Sequence, residues 1–107
     1  MTLIQLKYIL TIAETKSLNK AAEQLYVSQP SLTNALKELE KEIGITIFFR
    51  SGRGVTLTND GVEFLTYARE LYHEYEQLLH RYTEGSSYKK KFAVSTQHYS
   101  FAVKAFV

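Results

Sequence analysis

Residues 21–40 read AAEQLYVSQPSLTNALKELE. Two runs of helical spacing meet at Tyr26, Val27 and Ser28, and the only proline of the chain, Pro30, stands where the second begins. Leu18, Ala21, Ala22 and Leu25 carry the first run; Leu32, Leu36, Leu39 and Ile43 carry the second. Ser28 is a capping residue, and proline is tolerated in a first helical turn, where its missing N–H costs no bond. The stretch therefore predicts two helices joined by a three-residue turn, which is a helix-turn-helix.

The second helix has two unlike faces. Leu32, Leu36 and Leu39 point one way, while Gln29, Pro30, Thr33, Asn34 and Lys37 fall on the other, with Ser31 beside them. No acid occurs between Ser28 and Lys37; the first are Glu38 and Glu40. Short hydroxyls and amides at a helix N-terminus suit base edges in a DNA major groove, where Gln and Asn pair with adenine and Ser or Thr meets bases or a thymine methyl. A fresh helix start also presents unpaired N–H groups to phosphate. A polar helix face is more commonly just solvated, so the neighbouring elements decide the matter.

Upstream, residues 3–14 place Leu3, Leu6, Leu10 and Ala13 at helical spacing, with Ile9 and Ile12 alongside. Ser17 caps the next helix, and Ser17, Asn19 and Lys20 at its start are candidate phosphate contacts. Downstream, Gly44 is a left-handed C-cap, and ITIFFRSGRGVTLT over residues 45–58 reads as a hairpin whose two glycines permit a tight turn. Arg50 and Arg53 flank its tip, where a basic wing reaches backbone or minor groove. Thr58 caps a further helix with Asp60 and Glu63 in its first turn.

That last helix carries Leu65, Ala68, Tyr72, Tyr75, Leu79 and Tyr82 at alternating spacings of 3 and 4, with Phe64, Leu71 and Leu78 widening the stripe. This is a heptad seam, expected to pair two copies of the chain. EGSSYKKK then breaks the pattern as a linker, and FAVSTQHYSFAVKAFV begins like a strand.

Composition narrows the classes further. Of 107 residues, 45% are hydrophobic and 22% charged, which suits one small domain plus an appendage rather than disorder. The absence of cysteine excludes a disulfide framework, a cysteine zinc site and a thiol nucleophile. No apolar run approaches the roughly 20 residues needed to span a bilayer, and the first residues do not form a signal peptide, so a cytoplasmic protein with no membrane partner is expected. Net charge is +2 over residues 1–57, −4 over 58–84 and +4 over 85–107, so an acidic middle masks two basic ends.

His73 and His80 are seven residues apart, too far to chelate one ion as an i, i+4 pair does. No catalytic triad or phosphate-binding glycine loop occurs, so neither an enzyme nor a cofactor or metal site is expected. The rival to DNA binding is a helical dimerisation or adaptor module, in which the polar helix face is ordinary surface.

The stretch from Ala21 to Gly61, AAEQLYVSQPSLTNALKELEKEIGITIFFRSGRGVTLTNDG, resembles the DNA-binding domain of the LysR-type transcriptional regulators. Ala21, Ala22, Leu25, Ser28, Gln29, Pro30, Ser31, Leu39, Glu40, Gly44, Phe48, Arg50, Leu57, Thr58 and Gly61 carry the resemblance, which extends over residues 3 to about 84. It implies a mainly α fold: a winged helix-turn-helix over residues 1–58, three helices with a β-hairpin wing, then a linker helix over 59–84 that pairs antiparallel with its copy. It also implies a hinge at 85–91 and the start of an α/β effector domain at 92–107, so the chain is expected to be part of a longer regulator.

By the same resemblance Gln29, Pro30, Ser31, Thr33, Asn34 and Lys37 form the reading helix and Arg50 and Arg53 the wing contacts. Dimers or tetramers would bind an interrupted inverted repeat in double-stranded DNA. A small-molecule effector would meet Ser95, Thr96, Gln97, His98, Tyr99 and Ser100. Two positions depart from the family: Asn34 stands where arginine is frequent, and Asp60 where alanine is usual.

Overall fold

The computed structural model describes residues 1–83. In order, the elements are α1 (Leu3–Thr15), α2 (Leu18–Leu25), α3 (Gln29–Ile43), β1 (Phe48–Ser51), β2 (Gly54–Leu57) and α4 (Asn59–Thr83). The chain divides into two units, residues 1–73 and 74–107. The first holds the core; of the second, only residues 74–83, the end of α4, are described.

Local sequence explains where each helix stops and starts. Thr2 and Gln5 form a reciprocal capping box on α1, with Gln5 N–H donating to Thr2 Oγ1 at 3.1 Å and Thr2 N–H to Gln5 Oε1 at 2.9 Å. Ser17 Oγ accepts the Lys20 N–H at 3.2 Å to start α2, and Ser28 Oγ accepts the Ser31 N–H at 3.2 Å to start α3, with Pro30 in its first turn. Gly44 ends α3 in the left-handed region at φ 75°. These caps stand where the sequence placed them, the α1 capping box excepted.

The core is made of Ile9 and Ile12 from α1, Ala21 and Ala22 from α2, Leu32, Leu36 and Leu39 from α3, and Ile47, Phe48, Val55 and Leu65 from the segments that follow. Ala21 and Ala22 are small enough to let α2 lie close against α1 and α3. The buried stripe of α1 is Leu6, Ile9 and Ile12. It is rotated from the expected one: Leu3 is exposed, and Leu10 and Ala13 are half-buried. The two bulky β-branched residues win the centre because α1 packs on two helices at once.

The wing is an antiparallel pair in which Phe48 faces Leu57 and Ser51 faces Gly54, closed by Gly52 and Arg53. Of the two expected turn glycines, only Gly54 has a positive φ, at 129°. An added Cβ there would lie 2.5 Å from the Lys16 carbonyl oxygen, which accepts the Val55 N–H at 3.2 Å. The wing is thereby fastened to the C-cap of α1.

Thr58 fastens the far side of the hairpin. Its Oγ1 accepts the Gly61 N–H at 2.8 Å and donates to the Thr46 carbonyl, and its N–H donates to the Ile47 carbonyl at 3.0 Å. Thr58 thus starts α4 as expected and anchors that start to the segment before β1. Over its 25 residues α4 is about 37 Å long at 1.5 Å per residue.

The hinge at 85–91, the effector-domain start at 92–107 and the expected effector contacts Thr96, Gln97, Tyr99 and Ser100 lie outside the described residues.

Candidate nucleic-acid interface

Three elements present the residues singled out by sequence. Along α3, Pro30, Ser31, Asn34 and Lys37 are exposed and Gln29 is half-buried, while Leu32, Leu36 and Leu39 are buried beneath them. The turn of helix puts the polar residues on one side because the leucines recur at intervals of 3 and 4. No acid interrupts this face before Glu38.

Hydroxyl chemistry separates the two serines of the α3 start. Ser28 Oγ donates to Ser31 Oγ at 2.8 Å while accepting the Ser31 N–H. The two hydroxyls share one hydrogen bond, which commits one of their two hydrogens and leaves the other for an outside acceptor. Ser28 acts as the cap, and Ser31 as the group offered outward.

Thr33 differs from its neighbours on α3. Its residue is only half-buried, but its Oγ1 is fully covered and has no hydrogen-bond partner among the described residues. The hydroxyl is turned into the protein, so the expected base contact through Thr33 Oγ1 is not available in this rotamer. The methyl group is the part left to meet a ligand.

At the start of α2, Asn19 and Lys20 are exposed, and Ser17 Oγ, used only as an acceptor by the Lys20 N–H, retains its donor hydrogen. On the wing, Arg50 lies in β1 and Arg53 in the turn itself; both are exposed, and neither forms an ion pair with another described residue. Cations in this state are free to neutralise phosphates. One ion pair joins the Met1 ammonium to Glu42 at 2.7 Å, on the exposed surface.

Two features were not visible in the local sequence. Lys16 and Tyr26 adopt left-handed φ values of 58° and 57° as the C-caps of α1 and α2, a region where side chains with a Cβ are disfavoured. Tyr26 is 94% exposed in the turn before α3. The other feature is Glu40, whose carboxylate accepts the Ile47 N–H at 2.7 Å. Nothing in its neighbours distinguished it from a solvated acid.

The expected seam on α4 is also corrected. Leu65 is 0% exposed and belongs to the core, and Ala68 is 3% exposed, so neither is offered to a second copy. The first turns of α4 pack on the domain, which uses up the start of the heptad pattern. Among the expected seam residues, exposure begins at Leu71 and continues through Leu78, Leu79 and Tyr82, with Tyr72 and Tyr75 half-buried.

Among the described residues no group of acids and histidines is placed to hold a metal ion, and no helix is long and apolar enough to cross a membrane. A capped two-helix unit, a polar acid-free helix face and a two-stranded basic hairpin together define a winged helix-turn-helix domain. Residues 3–62 match the family model of the bacterial regulatory helix-turn-helix proteins, lysR family. The chain belongs to the LysR family.

Two relatives from Bacillus subtilis illustrate the range. The chain is 34% identical to the HTH-type transcriptional regulator YxjO over its whole length, and 42% identical to the HTH-type transcriptional regulator CitR over 79% of its length. It spans 38% and 30% of those two proteins. Among solved structures, a complex of the CbnR DNA-binding domain with DNA matches 80% of this chain and 99% of that one, with a TM-score of 0.72 and 35% identity.

Proposed function

We propose that this chain is the DNA-binding and linker part of a cytoplasmic transcriptional regulator that reads an interrupted inverted repeat in double-stranded DNA. The observation that carries the reading is the exposed, acid-free face of α3, together with the exposed polar start of α2 and the exposed wing arginines. Gln29, Ser31 and Asn34 read base edges; Ser17, Asn19, Lys20, Lys37, Arg50 and Arg53 hold the backbone. Ser28 and Pro30 shape the helix start. The solved CbnR domain–DNA complex, of the same fold at 35% identity, supports DNA as the partner.

Two copies pair through α4 from Leu71 to Tyr82, which sets two reading helices on two half-sites. Full-length assembly into tetramers and control by a small-molecule effector belong to the part of the regulator beyond the described residues. The rival reading, a dimerisation module without DNA contact, accounts for the stripe on α4 but leaves the acid-free face and free wing arginines without a role.

The test is a titration of the chain with duplex DNA across salt concentrations. The account expects log affinity to fall steeply and linearly with log salt, and Arg53→Ala to make the slope shallower by about 0.9, one phosphate's worth. Absence of DNA binding would leave only the dimerisation module, and binding indifferent to salt would overturn the assigned phosphate contacts.

A further inference from the structure

The wing is held at three points, and each runs to a different element. The Val55 N–H is tied to the Lys16 carbonyl at the end of α1. Thr58 ties the start of α4 to the carbonyls of Thr46 and Ile47. The third runs from α3: Glu40 Oε2 accepts the Ile47 N–H at 2.7 Å and stands 3.4 Å from the Phe48 N–H. Among the described residues Glu40 is the one side chain of the reading helix that is hydrogen-bonded to the backbone where the wing begins.

We propose that Glu40 is a positioning residue that fixes the wing relative to α3, so that Arg53 meets DNA in register with the reading face. Ile47 is fully buried and Phe48 nearly so, so loss of the carboxylate leaves their two amides without a protein acceptor in a part-buried setting. A charged acceptor makes the bond short and strong, and its position one turn before the Gly44 cap places it opposite the start of β1. Ile47 therefore joins three elements at one residue: its N–H to α3 and its carbonyl to the start of α4, with β1 directly following. Glu40 touches no DNA in this scheme. It acts through Arg53.

The consequence for DNA rests on the proposed function; the tether does not, and the experiment separates the two. Amide hydrogen exchange on the full chain, free of DNA, follows Ile47 in Glu40→Ala, in Glu40→Asp, which is one methylene short, and in Glu40→Gln, which keeps an acceptor oxygen. Faster exchange at Ile47 in the first two, with Gln near wild type, is expected, together with altered backbone relaxation at Arg53. Unchanged exchange and relaxation would overturn the tether.

The second arm titrates a random-sequence duplex at low salt into wild type, Glu40→Asp, Arg53→Ala and the double variant, each confirmed folded by circular dichroism. Residues acting through one another are non-additive, so Glu40→Asp is expected to weaken binding about tenfold in wild type but less than about twofold beside Arg53→Ala. Equal losses in both backgrounds would overturn the role toward Arg53. If wild type itself binds no duplex, the DNA reading falls, and the exchange and relaxation arm alone decides the positioning of the wing.

Discussion

Gly61 lies so close to Ile47 that a Cβ built on it would stand 2.1 Å from the Ile47 carbonyl oxygen. The neighbour is backbone, itself held by Thr58, and cannot move aside as a side-chain tip would. Gly61→Ala therefore forces the start of α4 away from the wing. Overpacking of this kind costs about 3 kcal/mol, and urea unfolding is expected to show that loss. A variant as stable as wild type would mean that the close approach is not part of the fold.

Leu65 and Leu79 look equivalent in the heptad pattern but do different work. Leu65 is a core residue, and Leu65→Ala is expected to cost about 2–5 kcal/mol of folding stability. Leu79 is 49% exposed, and Leu79→Lys is expected to change stability by no more than about 0.5 kcal/mol while lowering the mass seen in sedimentation. A Leu79→Lys chain that keeps the wild-type mass would place the pairing surface elsewhere.

The covered hydroxyl of Thr33 gives an unusual expectation for a residue on a reading helix. Thr33→Val keeps the shape and removes the unpaired oxygen. It is expected to raise stability by about 1 kcal/mol and to leave base preference unaltered, since the methyl group is retained. A clear loss of sequence preference would show that the hydroxyl swings outward when DNA binds.

Tyr26 holds a left-handed conformation that glycine adopts freely. Tyr26→Gly is expected to stabilise the domain by up to about 1 kcal/mol, read as a higher thermal midpoint. A lower midpoint would mean that the exposed ring supports the turn by contacts of its own.

Much of the fold was legible because it is written in local signals. Ser17, Ser28, Pro30, Gly44 and Thr58 each act within a few residues of themselves, so their spacing announced the helix limits. Glycine and charge at SGRG did the same for the wing. What stayed hidden depends on distant parts of the chain. Glu40 reads as a surface acid until folding brings Ile47 to it, and Leu65 reads as a seam residue until the domain closes over it. The side to which a threonine turns its hydroxyl is likewise set by χ1, which the pattern of Leu32, Leu36 and Leu39 does not constrain.

The central claim is that the N-terminal face of α3 reads base edges. The most direct measurement is selection of duplexes from a random-sequence pool by the wild-type chain and by Gln29→Ala. The account predicts that wild type enriches two inverted half-sites, and that Gln29→Ala loses preference at one position of each, worth about 1–3 kcal/mol there. Enrichment of no motif, or of one identical motif by both proteins, would contradict it.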